Sequence, residues 1–426
     1  MKKHVLIVGN GVAGVTAARF MRKYSDHRIT MVSDETDHFF SRTALMYVYM
    51  GHMRYRDTKP YEDWFWAKNR IDLVRDRVTR LDLQRRVAYL RQGGELPFDV
   101  LLLATGSRPV RLPVPGIDLP GVQSLYGVPD LERMERDTRG IRRAVIVGGG
   151  LIGVEMAEML HSRHIPVTFL VREPGYMDHV LPPEESALVT AEIRHHGIDL
   201  RLGTQLREIK AGADGRVASV VDAAGTEHAC EFVGVTVGVQ PNIDIVRETP
   251  IEARRGILVN RFFETNVEGV FAAGDCAEFR DPADAHRPVE QLWYTARRHG
   301  ETVGRTIAGR RTAYDKGVFF NSAKFFDLEY QTYGDVPARP PGDQTTVFLR
   351  DPRRSRLVRV NANSATGAVM GFNALGIRLR QDVCERWIRE GAALETVLSR
   401  LSEASFDPEF APGLPAAPSR RAGVAA

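Results

Sequence analysis

One pattern occurs twice in this chain and constrains it more than any other: a short apolar strand, a glycine-rich turn, a helix and a second strand. The first copy opens with Val5-Leu6-Ile7-Val8, a continuous apolar run of the kind that a strand buried on both faces requires. It breaks at Gly9-Asn10-Gly11-Val12-Ala13-Gly14, continues as a helix over 15–23, and reaches a second strand at 28–32. The second copy has its strand at 144–147, the turn Gly148-Gly149-Gly150-Leu151-Ile152-Gly153, a helix over 154–161 and a strand over 167–171. A single glycine triplet is weak evidence in a chain with 38 glycines. Two triplets, each set between a strand and a helix inside a βαβ unit, are strong evidence.

The chemistry that needs such a turn is pyrophosphate binding. The first glycine allows a tight turn, the second leaves bare backbone for a phosphate, and the third lets helix and strand pack closely. Backbone N–H groups and the positive helix end then hold the anion. Gly9, Gly11 and Gly14 fit this code, with Val12 and Ala13 between them. Gly148, Gly150 and Gly153 fit it again, with Leu151 and Ile152 in the corresponding places. The chain is therefore read as two Rossmann-type dinucleotide-binding domains.

Composition narrows the alternatives. At 426 residues, two or three domains are expected, and 43% hydrophobic with 26% charged residues is the balance of a globular enzyme. A net charge of +4 without long runs of like charge does not point to nucleic acid. The three cysteines, Cys230, Cys276 and Cys384, form no CxxC, which argues against a disulfide scaffold, a zinc site and a dithiol pair. No HExxH is present either, so no metal site is expected. The N-terminal apolar stretch reads as a strand and not as a signal peptide, and no run of 18 apolar residues suggests a membrane span, so a cytoplasmic location is expected.

Between the two copies lies a buried strand, Leu101-Leu102-Leu103-Ala104-Thr105-Gly106, then a proline-rich crossover from Pro109 to Pro120. A later strand, Gly269 to Ala273, ends at Gly274-Asp275-Cys276. From about Gly317 the pattern becomes aromatic and strand-like, and a helical stretch follows over 382–401.

The ordered motifs GNGVAG, ATGSRP, GGGLIGVE and GVFAAGDC make the region 4–310 resemble the pyridine nucleotide–disulfide oxidoreductase superfamily. The resemblance implies an α/β fold with two three-layer ββα dinucleotide-binding domains: a discontinuous FAD domain over 1–112 and 245–316 and an NAD(P) domain over 113–244. Beyond the resemblance, the strand-like and helical pattern reads as a third, C-terminal α+β domain over 317–405, and the Pro-, Ala-, Gly- and Arg-rich end as a disordered tail over 406–426. The first glycine turn would bind FAD and the second NADH or NADPH. Ala104, Thr105 and Gly106 would lie near the FAD pyrophosphate, Gly274 and Asp275 at its ribityl chain, and Val78 at its adenine. Asp34 and Glu35, after the second strand, are candidates for the FAD ribose, with Glu35 preferred. Arg42 is expected near FAD, and the backbone at Gln291 or Leu292 near the flavin pyrimidine at a helix N-terminus. Glu155 resembles the glutamate beside the nicotinamide and is the candidate catalytic residue; Gly238 resembles the turn on that side. Val171 stands where a ribose-binding carboxylate is usual, followed by Arg172 and Glu173, which leaves NADH or dual use open.

Members with a thiol mechanism carry one or two cysteines shortly after the second strand. Here that stretch is Phe39-Phe40-Ser41-Arg42-Thr43-Ala44-Leu45, and Thr43 stands at the cysteine position. A hydroxyl forms neither a sulfenic acid nor a mixed disulfide. The stretch resembles instead the ferredoxin, rubredoxin and nitrite reductase branch, in which hydride passes from NAD(P)H to flavin N5 and electrons leave from the flavin. The expected partner is then a ferredoxin, a rubredoxin or another small iron–sulfur or redox protein. Two alternatives stand beside it: a reductase of small molecules such as quinones or oxygen, and a flavin-bound sensor or scaffold resembling apoptosis-inducing factor. A homodimer is compatible with the resemblance. The aromatic stretch 47–66 reads as core and interdomain packing, with a quinone or partner surface as the alternative.

Overall fold

A computed structural model describes residues 2–281, 288–351 and 355–409, and its chain falls into two compact units. The first unit takes residues 1–110, 126–136 and 238–316. Its centre is a five-stranded parallel sheet in the order Val270–Ala272, Val100–Leu103, His4–Val8, Arg28–Ser33, Ile71–Arg75. Val5, Leu6, Ile7, Leu101, Leu102 and Leu103 have no exposed surface, which explains why these strands read as unbroken apolar runs. The helix Val12–Tyr24 packs on the helix Trp293–Ile307. Gly300 and Gly304 permit that close approach, since a Cβ at either would lie 2.5 or 2.6 Å from a carbonyl oxygen of Ala13 or Ala17. A three-stranded antiparallel sheet, Val78–Asp82, Val87–Leu90 and Glu95–Pro97, supplies a further layer. The chain leaves and re-enters this unit through an antiparallel pair, Ser107–Pro109 with Val239–Pro241.

The second unit takes residues 111–125, 137–237 and 317 onward. It repeats the parallel sheet, in the order Asp199–Arg201, Val167–Leu170, Ala144–Val147, Phe232–Val235, Val122–Gln123. A three-stranded antiparallel sheet over 206–229 again lies beside it. From Phe320 a five-stranded antiparallel sheet follows; Phe372 of that sheet, Val383 and Trp387 of the helix Gln381–Glu390 and Val397 of the helix Leu394–Ser399 belong to one buried cluster.

Beyond shifts of a few residues at 111–112 and 238–244, the unit boundaries differ from the sequence-based segments in two places. Residues 126–136 join the first unit because the Tyr126 carbonyl accepts Arg42 Nη1 and the Val128 N–H bonds to Glu35. The C-terminal sheet shares a unit with the second glycine turn. There, the buried Arg359 bonds Glu184 and Glu185 on the helix Pro183–His195, and Lys324 bonds Glu158 on the helix Leu151–Ser162. Of the expected tail 406–426, residues 410–426 lie outside the described residues, while the Phe406 N–H still bonds to the Arg378 carbonyl. No described helix is long and apolar enough to cross a membrane.

Candidate functional site: two glycine turns and a buried polar network

The two turns are built alike. Gly9 has a φ of +113° and Gly148 of +111°, and a Cβ at either would overlap the backbone of Ala104 or Thr236. A Cβ at Gly14 would sit 2.2 Å from the Gly9 carbonyl oxygen, and one at Gly153 would sit 2.3 Å from that of Gly148. Gly11 and Gly150 differ. Both are extended, both cap the following helix, and a Cβ on either would meet nothing within 4 Å. The outer glycines are therefore required by the chain itself, while the middle glycine faces open space. Neither helix N-terminus has a side-chain cap or an acidic residue in its first turn, so no anion of the helix's own first turn competes for its N–H groups. This is the shape that a pyrophosphate fits. Val12 and Ala13 begin the first of these helices, and Leu151 and Ile152 begin the second.

Around the first turn the unit gathers a polar network. Arg42 forms a two-pronged ion pair with Glu35, at 2.9 and 2.6 Å, and lies 4.6 Å over the Tyr126 ring. Burial alone would lower the Arg42 pKa, but the bonds from Glu35 outweigh it and raise it. Asp34 is exposed, between Arg77 and Arg91. Asp275 is partly buried, and its Oδ2 accepts the Ser107 hydroxyl at 2.9 Å; burial pushes its carboxyl upward. The Ser107 Oγ in turn accepts Gln291 Nε2 at 2.8 Å, and the Ser107 N–H bonds to the Tyr126 hydroxyl. Thr105 Oγ1 donates to the Asn242 carbonyl, which ties the strand end 104–106 to the returning chain. Leu292 caps the helix Trp293–Ile307 in an extended conformation, and Val78 begins its strand with a buried side chain. Gly274 has a φ of +78°, and a Cβ there would lie 2.8 Å from that of Ala13. Ser107 and Tyr126 were not singled out by sequence; no spacing rule joins Arg42 to a carbonyl eighty-four residues away.

The second unit holds the remaining candidates except Gly238, which lies in the first unit with a φ of +110°. Thr236 Oγ1 donates to the Val147 and Gly148 carbonyls, and the Tyr176 hydroxyl to the Gly150 carbonyl, which fixes the turn from behind. Glu155 lies in the second turn of the helix Leu151–Ser162. Burial, with the neighbouring Glu158, pushes its carboxyl up to about 7. Arg172 is exposed and paired with Glu173 at 2.8 Å, while Val171 is fully buried.

This geometry has counterparts in known proteins. The model of the pyridine nucleotide-disulphide oxidoreductases matches residues 3–300. The chain belongs to the pyridine nucleotide-disulphide oxidoreductase family. It is 30% identical over 313 residues to the ferredoxin reductase component of chlorobenzene dioxygenase from Cupriavidus sp. strain PS12, covering 73% of this chain and 75% of that one. It is 29% identical over 384 residues to the nitrite reductase [NAD(P)H] of Bacillus subtilis; this is 89% of the chain but 47% of that relative, about half its length. Among solved structures, the ferredoxin reductase for the CYP199A2 system of Rhodopseudomonas palustris matches with a TM-score of 0.80 at 26% identity, over 87% of this chain and 91% of that one. As a member of this pyridine nucleotide-disulphide oxidoreductase family, the chain is an FAD-dependent NAD(P)H oxidoreductase.

Many proteins of a disulphide oxidoreductase family would use a thiol, and this member has none placed for it. All three cysteines are buried. Burial pushes Cys230 and Cys384 up to about 12, and raises Cys276 as well. Cys276 Sγ is directed at the Leu103 and Ala273 carbonyls. A thiol held neutral and inaccessible is a poor nucleophile. Thr43, in the short helix Arg42–Ala44, shares a side-chain hydrogen bond with the Ser41 hydroxyl at 3.3 Å. The aromatic stretch is mainly packing: Tyr49 and Trp66 are buried, Tyr61 stacks on Phe65, and Trp64 alone is mostly exposed, at 60%.

Proposed function

We propose that this protein carries electrons from NAD(P)H to a small redox protein such as a ferredoxin or a rubredoxin, with FAD as the only redox centre between them. The residues of the first glycine turn would hold FAD, which when bound would supply the hydride-accepting and electron-donating chemistry. The chain's own residues bind and orient. The turn Gly9–Gly14 would hold the FAD pyrophosphate, Asp275 its ribityl chain, and Glu35 and Arg42 the edge of that site. The turn Gly148–Gly153 would hold the nicotinamide dinucleotide, with Glu155 on the nicotinamide side and Arg172 at the ribose end.

The observation that carries this reading is the absence of any usable thiol. Thr43 occupies the cysteine position, and all three cysteines are buried with raised pKa values. Steady-state turnover with a ferredoxin, a rubredoxin, a quinone and oxygen in parallel tests it. A redox protein should be reduced with the highest kcat/KM, and a variant with all three cysteines changed to serine or alanine should keep that rate. Faster turnover of quinone or oxygen, or activity lost with the cysteines, would contradict the reading.

A further inference from the structure

His299 sits in the middle of the helix Trp293–Ile307 with no exposed surface. Phe263, Phe279 and Tyr314 surround it, with ring centroids 4.8, 5.5 and 4.8 Å away. Its Nδ1 lies 3.2 Å from the Gly274 backbone nitrogen, and its Nε2 lies 3.1 Å from Glu290 Oε2. A ring nitrogen that accepts a backbone N–H carries no proton, so the ring proton belongs on Nε2, where it donates to Glu290. Glu290 also accepts the Tyr314 hydroxyl at 2.7 Å and pairs with Lys316 at 3.2 Å. Burial pushes the Glu290 carboxyl up, but the bonds from His299 and Tyr314 prevail and hold it at about 2. It therefore stays ionised at any working pH and keeps the ring proton on Nε2.

The next residue reaches the same turn from the other side. Gln291 Nε2 donates to Ser107 Oγ, which donates to Asp275 Oδ2. Two consecutive residues thus grip the Gly274–Asp275 turn, one through His299 at the backbone and one through Ser107 at the carboxylate. A buried charged group is a costly way to fill a core, because apolar residues of equal volume pack at least as well.

We propose that Glu290 and His299 are positioning residues for the FAD-holding turn, fixing the Gly274 backbone so that Asp275 meets the ribityl chain in one orientation. The proposal rests on the reading of Asp275 as an FAD ligand. It is tested by titrating FAD into apoprotein and measuring the dissociation constant, together with the visible circular dichroism of bound flavin.

His299→Phe keeps the ring and its packing but leaves the Gly274 N–H unpaired. FAD should bind roughly tenfold to a hundredfold more weakly, with an altered flavin dichroism. His299→Asn returns an acceptor to the Nδ1 position and should bind within about threefold of the parent, whereas His299→Gln reaches only the Nε2 position and should resemble the Phe variant. If His299→Phe does not fold, the Asn and Gln variants still decide the matter. Equal FAD affinity in those two, or an unchanged dissociation constant in His299→Phe, would overturn the proposal. Asp275→Ala separates the two levels. If it binds FAD as tightly as the parent, the reading of the site itself falls; if it weakens FAD while His299→Phe does not, only this inference falls.

Discussion

Glu155 carries a pH dependence whose sign can be worked out. Its carboxyl titrates near 4.5 when exposed and at about 7 in the fold, because burial and Glu158 disfavour the charge. Between those values the folded protein holds a proton that the unfolded chain has released, so stability falls as pH rises through this window, and the penalty is complete above about 7. Glu155→Gln removes it. Thermal melts should show the variant equal to the parent near pH 4.5 and more stable at pH 8; equal melting temperatures at pH 8 would refute the environment assigned to Glu155. Arg172 gives a second test. Its guanidinium is paired with Glu173, which competes with a 2′-phosphate. Glu173→Gln should raise kcat/KM for NADPH relative to NADH by about two- to fivefold, the scale of an exposed charge interaction. An unchanged ratio would show that Arg172 does not face the ribose. Asp275 and Glu155 were legible as candidates because the GVFAAGDC and GGGLIGVE stretches that hold them resemble the family's motifs. His299 and Tyr126 were not, since their partners come from folding, not from sequence distance.

The glycine turns sort their residues into two physical classes. Gly150 is extended and its Cβ would enter open space, so Gly150→Ala should leave the melting temperature almost unchanged and raise the KM for NAD(P)H by about tenfold. Gly153 faces the Gly148 carbonyl and the Phe169 ring, so Gly153→Ala should cost about 1–3 kcal/mol and lower the melting temperature by several degrees. If the two variants behave alike, the division into ligand-facing and chain-facing glycines is wrong. These elements were readable because strand, turn and helix each have a local signature. The partner of the C-terminal sheet had none. Arg359 gives no sign in sequence that it will be buried against Glu184 and Glu185. Arg359→Met leaves Glu185 buried without its counter-ion and should destabilise the fold by about 3 kcal/mol, with much of that regained when Glu185→Leu is added. Chemical denaturation of the single and double variants measures both changes.

At the scale of the molecule, the sequence disclosed two dinucleotide folds and a C-terminal α+β element, since parallel cores and glycine turns are local and repetitive. It did not disclose that residues 126–136 and the C-terminal sheet would each join a different unit, because single long-range bonds such as Val128 N–H to Glu35 decide that. The functional claim also belongs to the whole molecule: one flavin, one exchangeable nicotinamide and no thiol relay. An anaerobic reductive titration of the holoprotein tests it most directly. The flavin absorbance should bleach completely with one equivalent of reductant per FAD, with NADH or NADPH as well as with dithionite. A second equivalent taken up before full reduction, with a long-wavelength thiolate-to-flavin band, would reveal a redox-active thiol and contradict the account.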